Sequence, residues 1–215
     1  MNLQPARVAY HHGELRGAAL AAALEWLDRE GRLPSLRELA SACGVSHAAL
    51  YRHFANLEAL ALDLAAICFH ELAESIRGAL TAVEDPLERL RTGSAASIAW
   101  GLAHPGRYLF MTGPELAGKQ HHEAFFGAAR EAFGTLVEGV AGVGVADPVP
   151  VAHTVLCMLH GFTDFACKGR TVPFEAESED AQIARLIEAV VEFTVSSAEA
   201  PPRGGRRFPG PGTTA

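Results

Sequence analysis

Between residues 35 and 54 the chain reads Ser-Leu-Arg-Glu-Leu-Ala-Ser-Ala-Cys-Gly-Val-Ser-His-Ala-Ala-Leu-Tyr-Arg-His-Phe, an order that few folds accommodate. Ser35 followed three positions later by Glu38 is a capping box, in which each side chain satisfies a free backbone N–H at a helix start. Gly44 arrives soon afterwards and supplies the positive backbone dihedral of a tight turn. Ser46 then caps a further short helix running to about His53. Ala40 must be small where the two helices cross. Val45 and Leu50 pack the pair together, and Leu36 and Leu39 seal its underside. The segment is expected to be a helix-turn-helix. A purely structural helical corner would share several of these features. The later helix, however, displays Ser46, His47, Ala48, Ala49, Tyr51, Arg52 and His53, small at its tip and hydrogen-bonding further on. A helix of that kind can enter a DNA major groove.

The remaining pattern is helix after helix. Leu20, Ala23, Leu24 and Leu27 mark one face of a first helix that Gly31 can end. Leu57, Leu60, Leu64, Ile67, Leu72, Ile76 and Leu80 describe one long amphipathic helix. Asp85-Pro86 opens another, interrupted at His104-Pro105 because a proline disfavours helix at the residue before it. Further helices are expected over 121–138, 149–167 and 180–197, with the glycines and prolines between Gly139 and Pro150 forming a connector. The fold class is therefore all-α. An arm over 1–9, a three-helix head over 10–56 and a larger helical domain over 57–197 are expected. Ala198 to Ala215, with four prolines and four glycines, reads as a disordered tail.

Residues 10–63 closely resemble the DNA-binding domain of tetracycline-repressor-type (TetR) transcriptional regulators. The matches are Tyr10-His11-His12-Gly13-Glu14-Leu15-Arg16, Ser35 to Ala40, and Gly44 to Phe54. The opening and the Ser-His-Ala-Ala segment look like the subgroup whose C-terminal domain is named for a Trp-His-Gly signature. His104-Pro105, Tyr108 to Met111 and His160-Gly161 stand where that domain has related residues, although its tryptophan is replaced around Leu156. The resemblance implies that Ser46, His47, Ala48 and Ala49 meet the groove, and that Tyr51 and His53 hold phosphates. Ser35 and Arg52 complete the expected DNA-binding set. One departure stands out. Many relatives place a lysine where this chain has Leu57, so one phosphate contact is expected to be missing.

Charge agrees with a modest grip on DNA. The formal net charge is -7, and residues 1–70 hold six arginines against seven acids. Such a balance argues against nonspecific coating of nucleic acid but not against a local reading head. Adjacent pairs such as His11-His12 and His121-His122 diverge on a helix, so no metal is expected. There is no phosphate loop or nucleophile elbow, and neither an enzyme nor a cofactor is expected. Cys43, Cys68, Cys157 and Cys167 lack the spacing of a zinc or redox site. With no apolar run of membrane length and no signal-like start, no membrane contact and a cytoplasmic location are expected.

Trp100, His104, Tyr108, Met111, Phe126, His160 and Phe162 mix bulky apolar groups with a few polar ones, the composition of a pocket for a small hydrophobic effector. Ordinary core would look similar, and it is the family resemblance that implies the pocket. The stripes Val151, Val155, Leu159, Phe162 and Ile183, Leu186, Ile187, Val190, Val191 suit a four-helix bundle between two copies. The expected protein is a homodimeric, ligand-responsive regulator, a repressor released from a palindromic double-stranded DNA operator. A constitutive helical protein whose larger domain binds another protein is the alternative.

Overall fold

The computed structural model describes residues 12–119, 122–170 and 178–199. The expected arm, the Tyr10-His11 part of the family motif, His121 and the tail from 200 onward lie outside the described residues. The helices are α1 (His12–Glu30), α2 (Leu36–Ala42), α3 (His47–Tyr51), α4 (Leu57–Ala79), α5 (Pro86–Ala103), α6 (Pro105–Met111), α7 (Glu123–Gly142), α8 (Pro148–Cys167) and α9 (Glu179–Glu199). A 3-10 turn at Pro114–Leu116 joins α6 towards α7. The regular elements of the described residues are all helical.

Local chemistry places the breaks. Gly31 and Gly44 both take left-handed backbone, with φ of 65° and 66°. Asp85 accepts from the Glu88 N–H at 2.9 Å and Pro86 fills the first turn of α5. At the other end of α5 the chain bends at His104, and Pro105 starts α6. The expected connector proves shorter than the glycines suggested. α7 runs on to Gly142 because Val140 is fully buried and its helical turn is worth keeping.

Two apolar cores stack along the molecule. The first joins α1, α2 and α3 to α4 and continues through Trp100 to Tyr108, Phe110 and Met111. Leu60, Ala61, Leu62 and Leu64 at the start of α4 belong to it, so the expected domain border at residue 57 falls at the end of a helix that both regions share. The second core holds Leu90, Ile98, Val140, Val155, Leu159, Ile187, Val190 and Val191 from α5, α7, α8 and α9. Three of the five stripe residues on α9, Ile187, Val190 and Val191, are therefore buried in this chain's own interior. Ile183 and Leu186, like Met158 and Phe162 of α8, stay half-buried and pack against the same core.

The two regions are clasped where α6 meets α1. Gly106 sits so close to the end of α1 that a Cβ there would lie 1.9 Å from the Leu27 carbonyl oxygen. Next to it, Arg107 donates from Nε and Nη2 to the Asp28 carboxylate of α1, at 3.0 and 2.6 Å. Its Nη1 donates to Glu71 of α4 at 2.7 Å. One guanidinium thus ties three helices through a planar, two-pronged geometry that lysine cannot copy.

Candidate nucleic-acid interface and interior cavity

The helix-turn-helix is built by its caps. The Ser35 hydroxyl accepts from the Glu38 N–H at 3.2 Å, while the Ser35 N–H donates to the Glu38 carboxylate at 2.8 Å. Arg32 closes on the same carboxylate at 2.7 Å. The arginine's hydrogen bond, followed by those of Ser35, holds the Glu38 carboxyl down to about 2. The Ser46 hydroxyl accepts from the Ala49 N–H at 3.2 Å and starts α3. Ala40, Leu36, Leu39 and Leu50 are buried beneath the pair, as their spacing requires.

On the outside stand Ser35, Ser46, His47, Ala48, Tyr51 and Arg52, all exposed, with His53 half-buried. His47 and Tyr51 meet edge to face at 4.7 Å, so the ring of each steadies the other. Tyr51 keeps 49% of its surface in solvent, a large exposure for an aromatic residue. Ala49 is corrected. Expected at the groove, it is buried, with 9% of its surface exposed. α3 also ends at Tyr51 rather than His53, because Phe54 must turn back into the core, where only 1% of it remains exposed. The Asn56 side chain caps α4, accepting from the Ala59 N–H at 2.8 Å, and Leu57 is exposed beside it. Arg37 on α2 is exposed too, a cation on the earlier helix of the pair.

Within the larger domain lies a cavity of about 1320 Å³ between α4, α5, α6, α7 and α8. Three of the seven expected pocket residues border it: Tyr108, Met111 and His160. The Tyr108 hydroxyl and His160 Nδ1 are hydrogen-bonded. Burial pushes the phenol up. It also pushes the imidazole down, with Asp164 opposing weakly, so His160 is neutral near pH 7.

The other four expected residues lie elsewhere. Trp100 turns to the opposite face of α5 and packs in the first core, against the His104 ring at 5.4 Å. His104 occupies the α5–α6 corner, with Nδ1 3.9 Å from Asp28. Phe126 is 39% exposed, one turn before the lining residues of α7, and Arg130 covers its ring at 4.8 Å. Phe162 packs on the second core. In their place the wall includes Leu72 and Ile76 of α4, Ser94 and Ser97 of α5, and Ala132 and Thr135 of α7. Small residues on α5 and α7 were the available signal, since they leave room where larger ones would fill it.

No cluster of metal-ligating side chains occurs among the described residues, and no described helix is long and apolar enough to cross a membrane.

An exposed, capped reading helix on a three-helix head, joined by a long helix to a hollow helical domain, defines a helix-turn-helix regulator. Residues 19–64 match the family model of bacterial regulatory proteins of the tetR family, and residues 90–190 match the tetracyclin repressor-like C-terminal domain. The chain belongs to the TetR family of transcriptional regulators: it is a DNA-binding protein and not an enzyme. Its fold is similar to that of a protein of unknown function from Rhodococcus sp. RHA1, at 25% identity and a TM-score of 0.71, over 88% of this chain and 98% of that one. A TetR-like transcriptional regulator from the same strain is 18% identical with a TM-score of 0.63, over 88% and 99%. The TetR family transcriptional regulator PfmR from Thermus thermophilus is 20% identical with a TM-score of 0.57, over 85% and 99%. No curated protein matches the chain.

Proposed function

We propose that the protein is a homodimeric repressor that holds a palindromic operator with α3 of each copy and releases it when a small, largely apolar molecule enters the cavity. Residues 10–56 form the reading head in this reading, and residues 57–197 the effector-binding and dimerising domain. The observation that carries it is the sharing of α6. Tyr108 and Met111 of that helix border the cavity, while its Gly106 and Arg107 are clasped to α1 and α4. A molecule that shifts α6 must move the reading head or break the clasp. The half-buried apolar residues Met158, Phe162, Ile183 and Leu186 supply the face on which a second copy packs. Two heads must then fit two half-sites, about one helical turn or ~34–36 Å apart, or a multiple of it. A small change in their separation loses both.

The test begins with an operator selected from random DNA by the purified protein. Tyr51→Ala should weaken all sites alike, because a phosphate contact positions without reading sequence, whereas His47→Ala should change base preference. Apolar candidates are then titrated against free and operator-bound protein. DNA must weaken ligand binding by the factor with which ligand weakens DNA binding. A candidate that occupies the cavity with equal affinity in both states would count against induction. A protein that stays monomeric at micromolar concentration would remove the paired heads.

A further inference from the structure

We infer that the cavity takes a largely apolar molecule that presents a carbonyl oxygen to Nε2 of His160, the ring nitrogen that Tyr108 leaves free. The consequence for DNA rests on the effector reading of the cavity; binding itself does not.

Tyr108 sets the chemistry of the ring. Its hydroxyl meets Nδ1 of His160, and burial keeps the phenol protonated and the imidazole neutral. A neutral imidazole carries one proton for two nitrogens, and the bond made by one nitrogen decides where that proton sits. A phenol is a far stronger acid than a neutral imidazole N–H, so the phenol donates and Nδ1 accepts. Thr163 stands nearby, but its own hydroxyl donates to the Leu159 carbonyl at 2.9 Å. An alcohol oxygen is a weaker acceptor than a ring nitrogen and does not divert the phenol. The imidazole proton is thereby fixed on Nε2.

That N–H is within reach of a ligand. His160 borders the cavity and is half-buried. Among the described residues its Nε2 has no hydrogen-bond partner, yet it is not one of the buried unpaired side-chain atoms, which are Trp26 Nε1 and Ser94 Oγ. Nε2 therefore keeps surface that another molecule can meet. The threonine hydroxyls around the space are satisfied by their own helices, Thr112 on the Tyr108 carbonyl at 2.8 Å and Thr135 on that of Ala132 at 2.7 Å. A fixed N–H selects an acceptor oxygen. A ligand group that offers only donors would cover Nε2–H and leave it unpaired, which costs binding.

The rest of the space suits an apolar body. Gly101 of α5 marks the level of the Tyr108–His160 pair, since a Cβ there would lie 2.5 Å from Thr163 and 3.0 Å from Tyr108. Arg89 borders the cavity from the same helix, ~18 Å away along the axis. Between these ends Leu72, Ile76 and Met111 line the wall. The Arg89 Nη1 donates to the Leu80 and Val83 carbonyls at 3.2 and 2.6 Å. A molecule that is also an acid has this arginine to meet, and the oxygen at His160 is required of neutral and acidic molecules alike.

Nitrogen NMR of the labelled imidazoles, on the full-length protein without DNA at pH 8, reads the proton directly. His160 should show Nδ1 bare and Nε2 protonated, and Nε2 should shift when 2-undecanone or methyl decanoate is added. In titration calorimetry both carbonyl probes should bind at micromolar concentration, and undecylamine, whose ammonium only donates, roughly tenfold more weakly. His160→Phe should weaken both carbonyl probes about five- to tenfold, the range of one neutral hydrogen bond. His160→Gln, whose amide N–H can stand near the place of Nε2–H, should recover most of that loss. A proton found on Nδ1, no binding of either carbonyl probe, equal or tighter binding of undecylamine, or unchanged affinity in His160→Phe would each overturn the proposal. The tautomer and the amine comparison need no variant, so they decide even if His160→Phe does not fold. A further arm adds 2-undecanone to the operator complex. His160-dependent binding without DNA release supports the ligand class and removes the effector reading.

Discussion

The head and the larger domain are both helical, yet they fill their interiors differently. In the head and the first turns of α4 the largest fully buried side chains are Phe54, Leu27, Leu39, Leu50, Leu60 and Leu64. In the larger domain they are Leu90, Ile98, Val140, Val155, Val190 and Thr163, of which Leu90 and Thr163 border a cavity of about 1320 Å³. The larger domain gives up packing for room. A void forfeits dispersion contacts on every wall, so the hollow domain is the softer of the two, and its shape is the one a ligand can change.

That contrast can be broken by substitution. The largest effect is expected in the head, where Leu50→Ala removes a fully buried side chain from a closed site and should lower stability by about 4 kcal/mol. Leu72→Ala, on the cavity wall, enlarges a space that already exists and should cost about 2 kcal/mol. Equal losses in urea unfolding would erase the distinction. Gly106→Ala comes next. Its methyl cannot coexist with the Leu27 carbonyl, so α6 must withdraw from α1 at about 3 kcal/mol, with loss of operator binding even if the protein folds. Ala132→Leu works in the other direction. It places extra carbons in the cavity and should stabilise by roughly 1 kcal/mol while abolishing ligand binding. A destabilised Ala132→Leu protein would mean that the walls close over the space in solution.

The smallest effect concerns acid. The Glu38 carboxyl has a folded value of about 2, below its ordinary value of 4.5. Its contribution is therefore complete above about 4.5 and fades as pH falls towards 2. Glu38→Gln should flatten stability over that window and leave it unchanged above pH 6. An unaltered acid limb would show that the capping box of α2 does not depend on this charge.

What could be read from the sequence follows the same division. Ser35 with Glu38, Gly31, Gly44 and the His104-Pro105 break act within a few residues, and each is found where the spacing puts it. The head's core follows too, since Leu36, Leu39 and Leu50 point inward once the caps are fixed. The cavity does not, because composition cannot set how a helix is rotated about its axis. Trp100 and Ser94 share α5, six residues apart in number, yet the large ring faces the head while the serine borders the cavity. Phe125 is buried 6.0 Å from Phe69, and its neighbour Phe126 faces water. Ala49 was misplaced for a similar reason. Five residues make little more than one turn, and an alanine looks alike on either side of it.

The missing side chain at position 106 also has a meaning for how such a sequence can drift. A hydrogen atom there sets the distance between α1 and α6, so the joint between the two regions is encoded by an absence. Gly127 and Gly134 on α7, where an added Cβ meets nothing within 4 Å, carry no such constraint. In a library scored for folded, operator-binding protein, alanine should spread freely at 127 and 134 while 106 admits glycine alone. Any lineage that lost this glycine would have to rebuild the end of α1 in the same step.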